Sequence, residues 1–247
     1  MNTIDLINRH RSIRKFKDLP IEKEKMDRIL ECGMRAPNTG NMQIYSIIVT
    51  EQRDNIEALS KLHFGQGATA AAFLTICVDV NRYHHWCRLR GCDEPYDNFL
   101  WLMSGTVDAT LAAQNICIAA ESEGLGLCYL GTVMYNTQAI AELLELPKGV
   151  VPVVTLCMGY PAEEPALSER LPLEGVVFRP ALGGDGVRHF ADQGAVEGGG
   201  HADGLGKHGG HSRPGHPVQR LVPVVVGADA EPGDGGGVVG ELEHLLL

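Results

Sequence analysis

The first group of residues suited to chemistry lies near the N-terminus, in the pentapeptide His10-Arg11-Ser12-Ile13-Arg14. Two guanidinium groups separated by a hydroxyl residue offer forked N–H donors together with an O–H donor. This donor set matches the oxygens of a phosphate group, which arginine binds in a bidentate manner. The pentapeptide alone leaves a second interpretation open, namely a solvated basic loop that follows a short helix.

A second polar segment spans residues 36–43 and lies between a predicted helix and a predicted strand. Its side-chain amides, on Asn38, Asn41 and Gln43, can form hydrogen bonds with the edge of a polar heterocycle. Ordinary turn chemistry accounts for the same residue types. Both interpretations therefore stay open for this turn.

Residues 124–131 form a glycine-containing segment, Gly-Leu-Gly-Leu-Cys-Tyr-Leu-Gly, that superficially resembles a dinucleotide-binding turn. Tyr129 stands where the third glycine of that motif belongs, and the segment follows a predicted helix instead of leading from a strand into one. A Rossmann phosphate turn is therefore not predicted. A close approach of the backbone to a ligand remains an alternative.

Other catalytic and metal-binding motifs are missing from the sequence. His84, His85, Cys87 and Cys92 do not have the spacing of a zinc site. No two cysteines form a Cys-x-x-Cys pair, and neither a Gly-x-Ser-x-Gly elbow nor a Walker loop occurs. We expect no metal site and no hydrolase chemistry, and we interpret the seven cysteines as mostly buried thiols in a reducing cytosol.

Charge and hydropathy narrow the class of partner. The chain has 247 residues and a net charge of -10, which argues against a nucleic-acid-binding protein because such proteins need a basic surface. No apolar run reaches the length of a membrane span, and the N-terminus lacks the pattern of a secretory signal. We expect a cytoplasmic protein that acts on a small molecule.

Glycine content divides the chain at residue 177. The chain has 30 glycines, of which 12 lie in residues 1–177 and 18 in residues 178–247, whereas all seven cysteines lie in the first part. We predict a folded domain over 1–177 and an atypical, irregular Gly-rich tail over 178–247. A shift of the reading frame near residue 178 is our hypothesis for the tail, and low-complexity disorder is the alternative.

Helical and strand patterns alternate along the first part. Apolar periodicity predicts an amphipathic helix over 21–35 and a long helix over 98–123 that is apolar on more than one face. The long helix must be covered by its own core or by a second subunit. Pro152 suggests that the last strand starts there or lies at a sheet edge. The remaining predicted elements are strands over 44–50, 72–80 and 150–158 and helices over 52–63 and 137–146, which gives an α/β or α+β domain.

Taken in order, these segments resemble the FMN-dependent nitroreductase family, in particular its oxygen-insensitive NADPH nitroreductase and flavin reductase branch. The resemblance extends from about residue 5 to residue 177. It implies an α+β fold with a central mixed sheet flanked by helices, and a homodimer with one FMN at each of two interface sites. The motifs that carry it are residues 10–14, 38–43, 65–66, 112–115, 119–126, 129–131, 156–161 and 170–172.

The same resemblance implies a role for each matched residue. Arg11, Ser12 and Arg14 would hold the phosphate and ribityl chain, with His10 beside them. Asn38 would contact the flavin, and Gln66 would lie near its ring. The remaining matches are Tyr129, Leu130 and Gly131, which would bring backbone N–H groups to the isoalloxazine, and Arg170, which would add a phosphate contact.

The resemblance also implies a reaction in two halves. NADPH or NADH would reduce the flavin and leave, and a nitroaromatic, quinone or flavin acceptor would then take the electrons. No side chain need act as nucleophile or general base, because the cofactor carries the chemistry.

The chain departs from the family pattern at three places. Asn38 and Ser168 stand where the branch often has a small hydroxyl residue and a lysine, respectively, and the tail replaces a helical segment that wraps the partner subunit. We therefore expect an intact flavin site with weaker dimerisation and nucleotide selectivity. Two rival hypotheses are a flavin-binding relative with a different acceptor or no turnover, and an interaction protein without flavin.

Overall fold

The computed structural model describes residues 2–93 and 98–177. Of these, residues 2–168 belong to one compact unit, and residues 169–177 belong to another. The Gly-rich segment 178–247 lies outside the described residues, so the domain boundary at residue 177 stays a prediction.

Six α-helices and four strands are found in the described part of the chain. Every helix and strand predicted from the sequence is present, with ends that differ by a few residues. The helices are α1 (Thr3–Asn8), α2 (Lys23–Met34), α3 (Arg53–Leu62), α4 (Val80–Arg90), α5 (Phe99–Ser122) and α6 (Thr137–Leu143), and the strands are β1 (Tyr45–Thr50), β2 (Ala72–Asp79), β3 (Gly126–Tyr129) and β4 (Val150–Gly159).

Helix α4 and strand β3 were not predicted. Helix α4 has no apolar stripe, because only Val80 and Cys87 are buried, and it begins where the side chain of Asp79 accepts a hydrogen bond from the N–H of Arg82 at 2.9 Å. Strand β3 has four residues, which is too short for an alternating pattern to be visible. Both elements depend on their surroundings more than on their own sequence.

The strands form one sheet in the order β1-β2-β4-β3, and each of the three pairings is antiparallel. The α+β class is confirmed, but the expected mixed sheet is not what these strands form. Within the described residues, parallel pairing is limited to one bridge between Ser12 and Leu127. A connection that contains a helix is long enough for the next strand to run parallel or antiparallel to the previous one. The alternation of helices and strands along the sequence therefore could not decide between a mixed and an antiparallel sheet.

Strand β4 lies inside the sheet, so the edge position suggested by Pro152 is wrong. Pro152 lies three residues into the strand and opposite Cys77, where the β2–β4 register shifts between Ile76 and Cys77. A bulge tolerates a residue that has no N–H to donate, which explains the proline at this position.

Helix α5 packs across the sheet and against α2. Its buried face carries Ala109, Ala112, Ala113 and Ile116, which belong to the same apolar cluster as residues of β2 and β4. Small residues let the backbones approach closely, and a Cβ on Gly33 of α2 would lie 2.6 Å from the Ile116 side chain. No helix in the described residues is long and apolar enough to cross a membrane.

The other face of α5 carries an exposed apolar stripe. We define this stripe by four residues at helical spacing, Leu100, Met103, Val107 and Leu111. Their exposed fractions of 70%, 46%, 53% and 39% are large for apolar side chains. Within the described residues, the domain's own core leaves this face of the helix uncovered.

Candidate functional site

The basic loop over residues 10–17 is held against the sheet edge by its own backbone. The N–H of Ile13 donates to the carbonyl of Leu127 in β3 at 2.9 Å, and the N–H of Lys17 donates to the carbonyl of Tyr160 at 2.8 Å. Ile13 and Phe16 are buried and anchor the loop, while Arg14 between them is exposed. Because the two anchors face the core, the side chain of Arg14 between them faces solvent.

Two carboxylates are bound to this loop. One carboxylate oxygen of Glu163 accepts hydrogen bonds from the N–H groups of Arg14 and Lys15, at 2.8 and 3.1 Å. A guanidinium nitrogen of Arg11 donates to Glu164 at 2.8 Å. The bond from the Arg14 N–H is the main reason that the pKa of Glu163 is lowered. Donors that bind carboxylate oxygens in this way are suited to the oxygens of a phosphate group.

His10 is oriented by helix α5. Its Nδ1 lies 2.6 Å from a carboxylate oxygen of Glu121 and 3.8 Å from the sulfur of Cys117. These three side chains could be considered as metal ligands, since their ligand atoms lie within 4.8 Å of one another. Burial raises the pKa of the Cys117 thiol to about 12. The short contact between Nδ1 and the Glu121 carboxylate fixes the orientation of the His10 ring.

The segment that carries Gln66 lies next to the basic loop and to the turn after β3. The N–H of Phe16 donates to the hydroxyl of Thr69 at 3.2 Å, and Nδ1 of His63 lies 2.6 Å from the hydroxyl of Thr132. Gln66 itself is exposed. The segment over residues 63–69 therefore contacts both the basic loop and the turn that follows β3.

One of the expected backbone donors is already occupied. The N–H of Leu130 donates to the carbonyl of Thr155 at 2.8 Å, because pairing between the chain segments of β3 and β4 continues one residue beyond Tyr129. The expectation that Leu130 offers its N–H to a flavin is not met in this geometry. Gly131 has open space around it, with no atom within 4 Å of an added Cβ.

Asn38 lies elsewhere on the same subunit. Its side-chain carbonyl accepts from the N–H of Gln43 at 3.2 Å, and the next residue, Thr39, donates its N–H and its hydroxyl to Asp108 of α5 at 2.9 and 3.0 Å. Asp108 precedes Glu121, the partner of His10, by thirteen residues or roughly 20 Å of helix. Within one subunit, Asn38 is not brought to the basic loop.

Asp108 is a positioning residue that the sequence reasoning did not single out. It is 1% exposed, and its second carboxylate oxygen is buried without a hydrogen-bond partner in the described residues. The sequence does contain a signal for this residue, because Asp108 is the one carboxylate in the apolar stretch 99–117. A carboxylate buried in such a helix needs hydrogen-bond partners from another part of the chain.

Arg170 belongs to the second compact unit, of which residues 169–177 are described, and it is exposed. Its guanidinium donates to the backbone carbonyl of Glu169 at 3.0 Å. Its expected contact with a phosphate stays a prediction.

A cleft of about 940 Å³ opens beside the basic loop. Among the predicted site residues only Arg11 lines it, together with Ile13, Gly126, Glu163 and Glu164 among others. The cleft therefore lies next to the phosphate-type donors of the loop. Arg14 and Gln66 lie outside this cleft and are exposed, so this cleft of a single subunit does not enclose all the predicted residues.

The buried His63 makes the stability of this region sensitive to acid. Burial lowers the pKa of His63 to about 4, whereas an unfolded histidine titrates near 6.5. Between these pH values the unfolded chain binds the extra proton, so the folded state loses stability as the pH falls. We expect the free energy of unfolding to decrease by up to about 3 kcal/mol between pH 7 and pH 4 because of this residue.

Urea unfolding of the wild-type protein and of His63→Asn across that pH range measures this effect. The variant lacks the titrating ring, so its free energy of unfolding should decrease less steeply as the pH falls. Equal slopes in the two proteins would contradict the assignment to His63.

Comparison with known proteins gives consistent matches over the described domain. The sequence profile of the nitroreductase family matches residues 7–84 and 103–160. The chain is 40% identical over 177 residues to an oxygen-insensitive NADPH nitroreductase of Salmonella typhimurium, covering 71% of this chain and 72% of that protein. It is 35% identical over 179 residues to an FMN reductase (NADPH) of Bacillus subtilis, with 71% and 72% covered.

Solved structures agree with the sequence matches. The structure of the NADPH:FMN oxidoreductase of Vibrio harveyi in complex with NAD+ superposes with a TM-score of 0.68 at 31% identity, covering 78% of this chain and 84% of that one. The structure of the oxidoreductase YcnD of Bacillus subtilis gives a TM-score of 0.71 at 34% identity, with 78% of each chain covered.

Proposed function

The chain belongs to the nitroreductase family, and on that basis we propose that it binds FMN and passes electrons from NADPH or NADH to nitroaromatic, quinone or flavin acceptors. The observation that carries the proposal is the basic loop, whose backbone and guanidinium donors already bind two carboxylates. Membership of the family supports the type of reaction that we propose. The loop supports the position of the cofactor, because its donors suit the oxygens of a phosphate group.

The loop offers hydrogen-bond donors from its side chains and from its backbone. Arg11 and Arg14 provide charge-assisted donors, Ser12 adds a hydroxyl, and His10 is kept in place by Glu121. A phosphate bound here would replace the carboxylates of Glu163 and Glu164 as the partner of these donors. When bound, FMN supplies the two-electron chemistry, accepting hydride from the nicotinamide and reducing the acceptor.

The side chains have no proton-transfer role in this proposal. The protein's contribution is to orient the ring and to place donors and positive charge where negative charge develops on reduction. We propose a two-step route in which the nicotinamide leaves before the acceptor binds at the same place. Gln66 and the backbone around Tyr129 and Gly131 are proposed to lie against the ring, and Arg170 to reach the phosphate.

We further propose that two copies of the chain form a homodimer. The exposed apolar stripe of α5 needs a cover, and Asn38 reaches a flavin held by the basic loop only if it comes from a second subunit. The cytoplasm is the proposed location, because all seven cysteines are free thiols.

FMN titration and steady-state kinetics test the proposal. We expect the purified protein to quench the fluorescence of added FMN with a stoichiometry of one per chain, and to oxidise NADPH or NADH when a nitroaromatic, a quinone or free FMN is present. Light scattering with and without FMN reports the dimer.

Each outcome has a distinct meaning. Flavin binding without oxidation of either nucleotide would support the rival hypothesis of a different acceptor or impaired turnover. A protein that does not bind FMN at all would contradict the proposed function.

A further inference from the structure

Two cysteines face each other across the edge of the sheet. Cys128 of β3 and Cys157 of β4 are direct partners in the antiparallel register. Residues paired in this way have Cα atoms about 4.5–5.5 Å apart and side chains on the same face. A disulfide needs a Cα separation of about 4.4–6.8 Å, so these two residues can be bridged without a change of register.

The pair is buried next to the basic loop. Both side chains lie in one apolar cluster, with Ile13 and Phe16 of the basic loop and Phe73 of β2. Cys128 is 3% exposed and Cys157 is 1% exposed. Among the described strands, β3 lies at the edge of the sheet, where the basic loop covers it through the bridge from Ser12 to Leu127.

The two thiols lie within hydrogen-bond reach of each other. The hydrogen bond from Cys157 lowers the pKa of Cys128, and the nearby Arg14 and Ser12 act in the same direction, whereas burial opposes them. The pKa of Cys157 is raised by the same hydrogen bond and by burial. Cys128 is therefore the member of the pair that loses its proton more readily, which suits it to the role of nucleophile and Cys157 to that of resolving thiol.

We propose that Cys128 and Cys157 form a reversible thiol–disulfide pair that is oxidised by hydrogen peroxide. The Cys128 thiolate attacks one peroxide oxygen, the O–O bond breaks, and the hydroxide that leaves takes up a proton to become water. The resulting sulfenic acid is attacked by the sulfur of Cys157, which forms the S–S bond and releases a second water with the Cys157 proton. Two electrons pass from the sulfurs to the peroxide, and an external dithiol returns them.

Oxidation would remove an ionisable group beside the basic loop. Ser12 and Arg14 both lie close enough to Cys128 to lower the pKa of its thiol, and a disulfide has no thiol to ionise. The redox state of the pair is thus coupled to the surroundings of residues 12–14.

Differential alkylation of the wild-type protein tests the proposal directly. The protein is exposed to hydrogen peroxide, quenched in acid, unfolded and alkylated before and after reduction with dithiothreitol, and its peptides are mapped by mass spectrometry. We expect Cys128 and Cys157 to be protected before reduction and alkylated after it, and the cross-linked peptides to weigh two hydrogens less than the sum of the free ones. Cys77 is a matched control, because it is buried and its pKa is raised to about 12; it should remain alkylated in both samples.

Variants separate this pair from other cysteines. Cys157→Ser should leave Cys128 without a partner and remove the cross-link, whereas Cys32→Ser, at an exposed cysteine, should leave it unchanged. Peroxide treatment that oxidises Cys32 but leaves Cys128 and Cys157 open to alkylation would overturn the proposal, as would oxidation of Cys128 beyond sulfenic acid with no cross-link. The wild-type measurement does not depend on whether any variant folds.

Discussion

Arg14→Met is expected to weaken FMN binding about 10- to 100-fold. The side chain is exposed beside the donors that hold Glu163, and a hydrogen bond to a charged group contributes about 1.5–3 kcal/mol. Each 1.4 kcal/mol corresponds to a factor of ten in the dissociation constant. Arg14→Lys keeps the charge but loses the forked geometry, so we expect an intermediate loss.

The control for Arg14 is Lys23→Met. Lys23 is an exposed cation of α2 that is paired with Asp27, and it neither belongs to the basic loop nor lines the cleft. Fluorescence titrations with FMN at constant ionic strength compare the variants, and circular dichroism shows whether they fold. Equal losses in Arg14→Met and Lys23→Met would mean that only the overall charge of the domain matters and that Arg14 does not contact the phosphate.

Gly67→Ala is expected to lower the free energy of unfolding by about 4 kcal/mol. Gly67 has a φ of +71°, and a Cβ there would lie 2.6 Å from the ring of Phe73 and 2.9 Å from the Cβ of Cys157. Left-handed backbone costs a residue with a Cβ about 1–2 kcal/mol, and overpacking of a buried site costs about 1–3 kcal/mol more. Phe73 is completely buried and cannot turn away.

Gly65→Ala isolates the contribution of the backbone. Gly65 also has a positive φ, of +82°, but nothing lies within 4 Å of an added Cβ, so this variant should lose only about 1–2 kcal/mol. Chemical denaturation of both variants measures the difference. If the two variants lose the same free energy of unfolding, the overlap of the added Cβ with Phe73 and Cys157 costs no stability, and the prediction for Gly67 is wrong.

Gly67 also shows why the segment around Gln66 has a defined shape. The segment turns back on itself so that Gly67 can pack under Phe73 while the neighbouring Gln66 stays exposed. The sequence shows two glycines around a glutamine, which predicts a turn. It does not show which glycine is enclosed by the core.

The local elements could be predicted because their signals are local. The apolar periodicity over 21–35 predicted α2, and the apolar stretch over 98–123 predicted α5, because a helix or strand buries a face whose spacing is visible in a short window. The basic loop was also visible, because its chemistry depends on residue types within five positions. The family resemblance followed from such short motifs taken in order.

Tertiary structure alone decided how these segments meet. It set the antiparallel direction of the strands, and it placed Glu163 against the N–H of Arg14 across 149 residues of sequence. It also paired Cys128 with Cys157 and buried Asp108 under the turn of Thr39. Such contacts depend on the packing of distant elements around a shared core, and the free energy of that packing is not contained in any one segment of the chain.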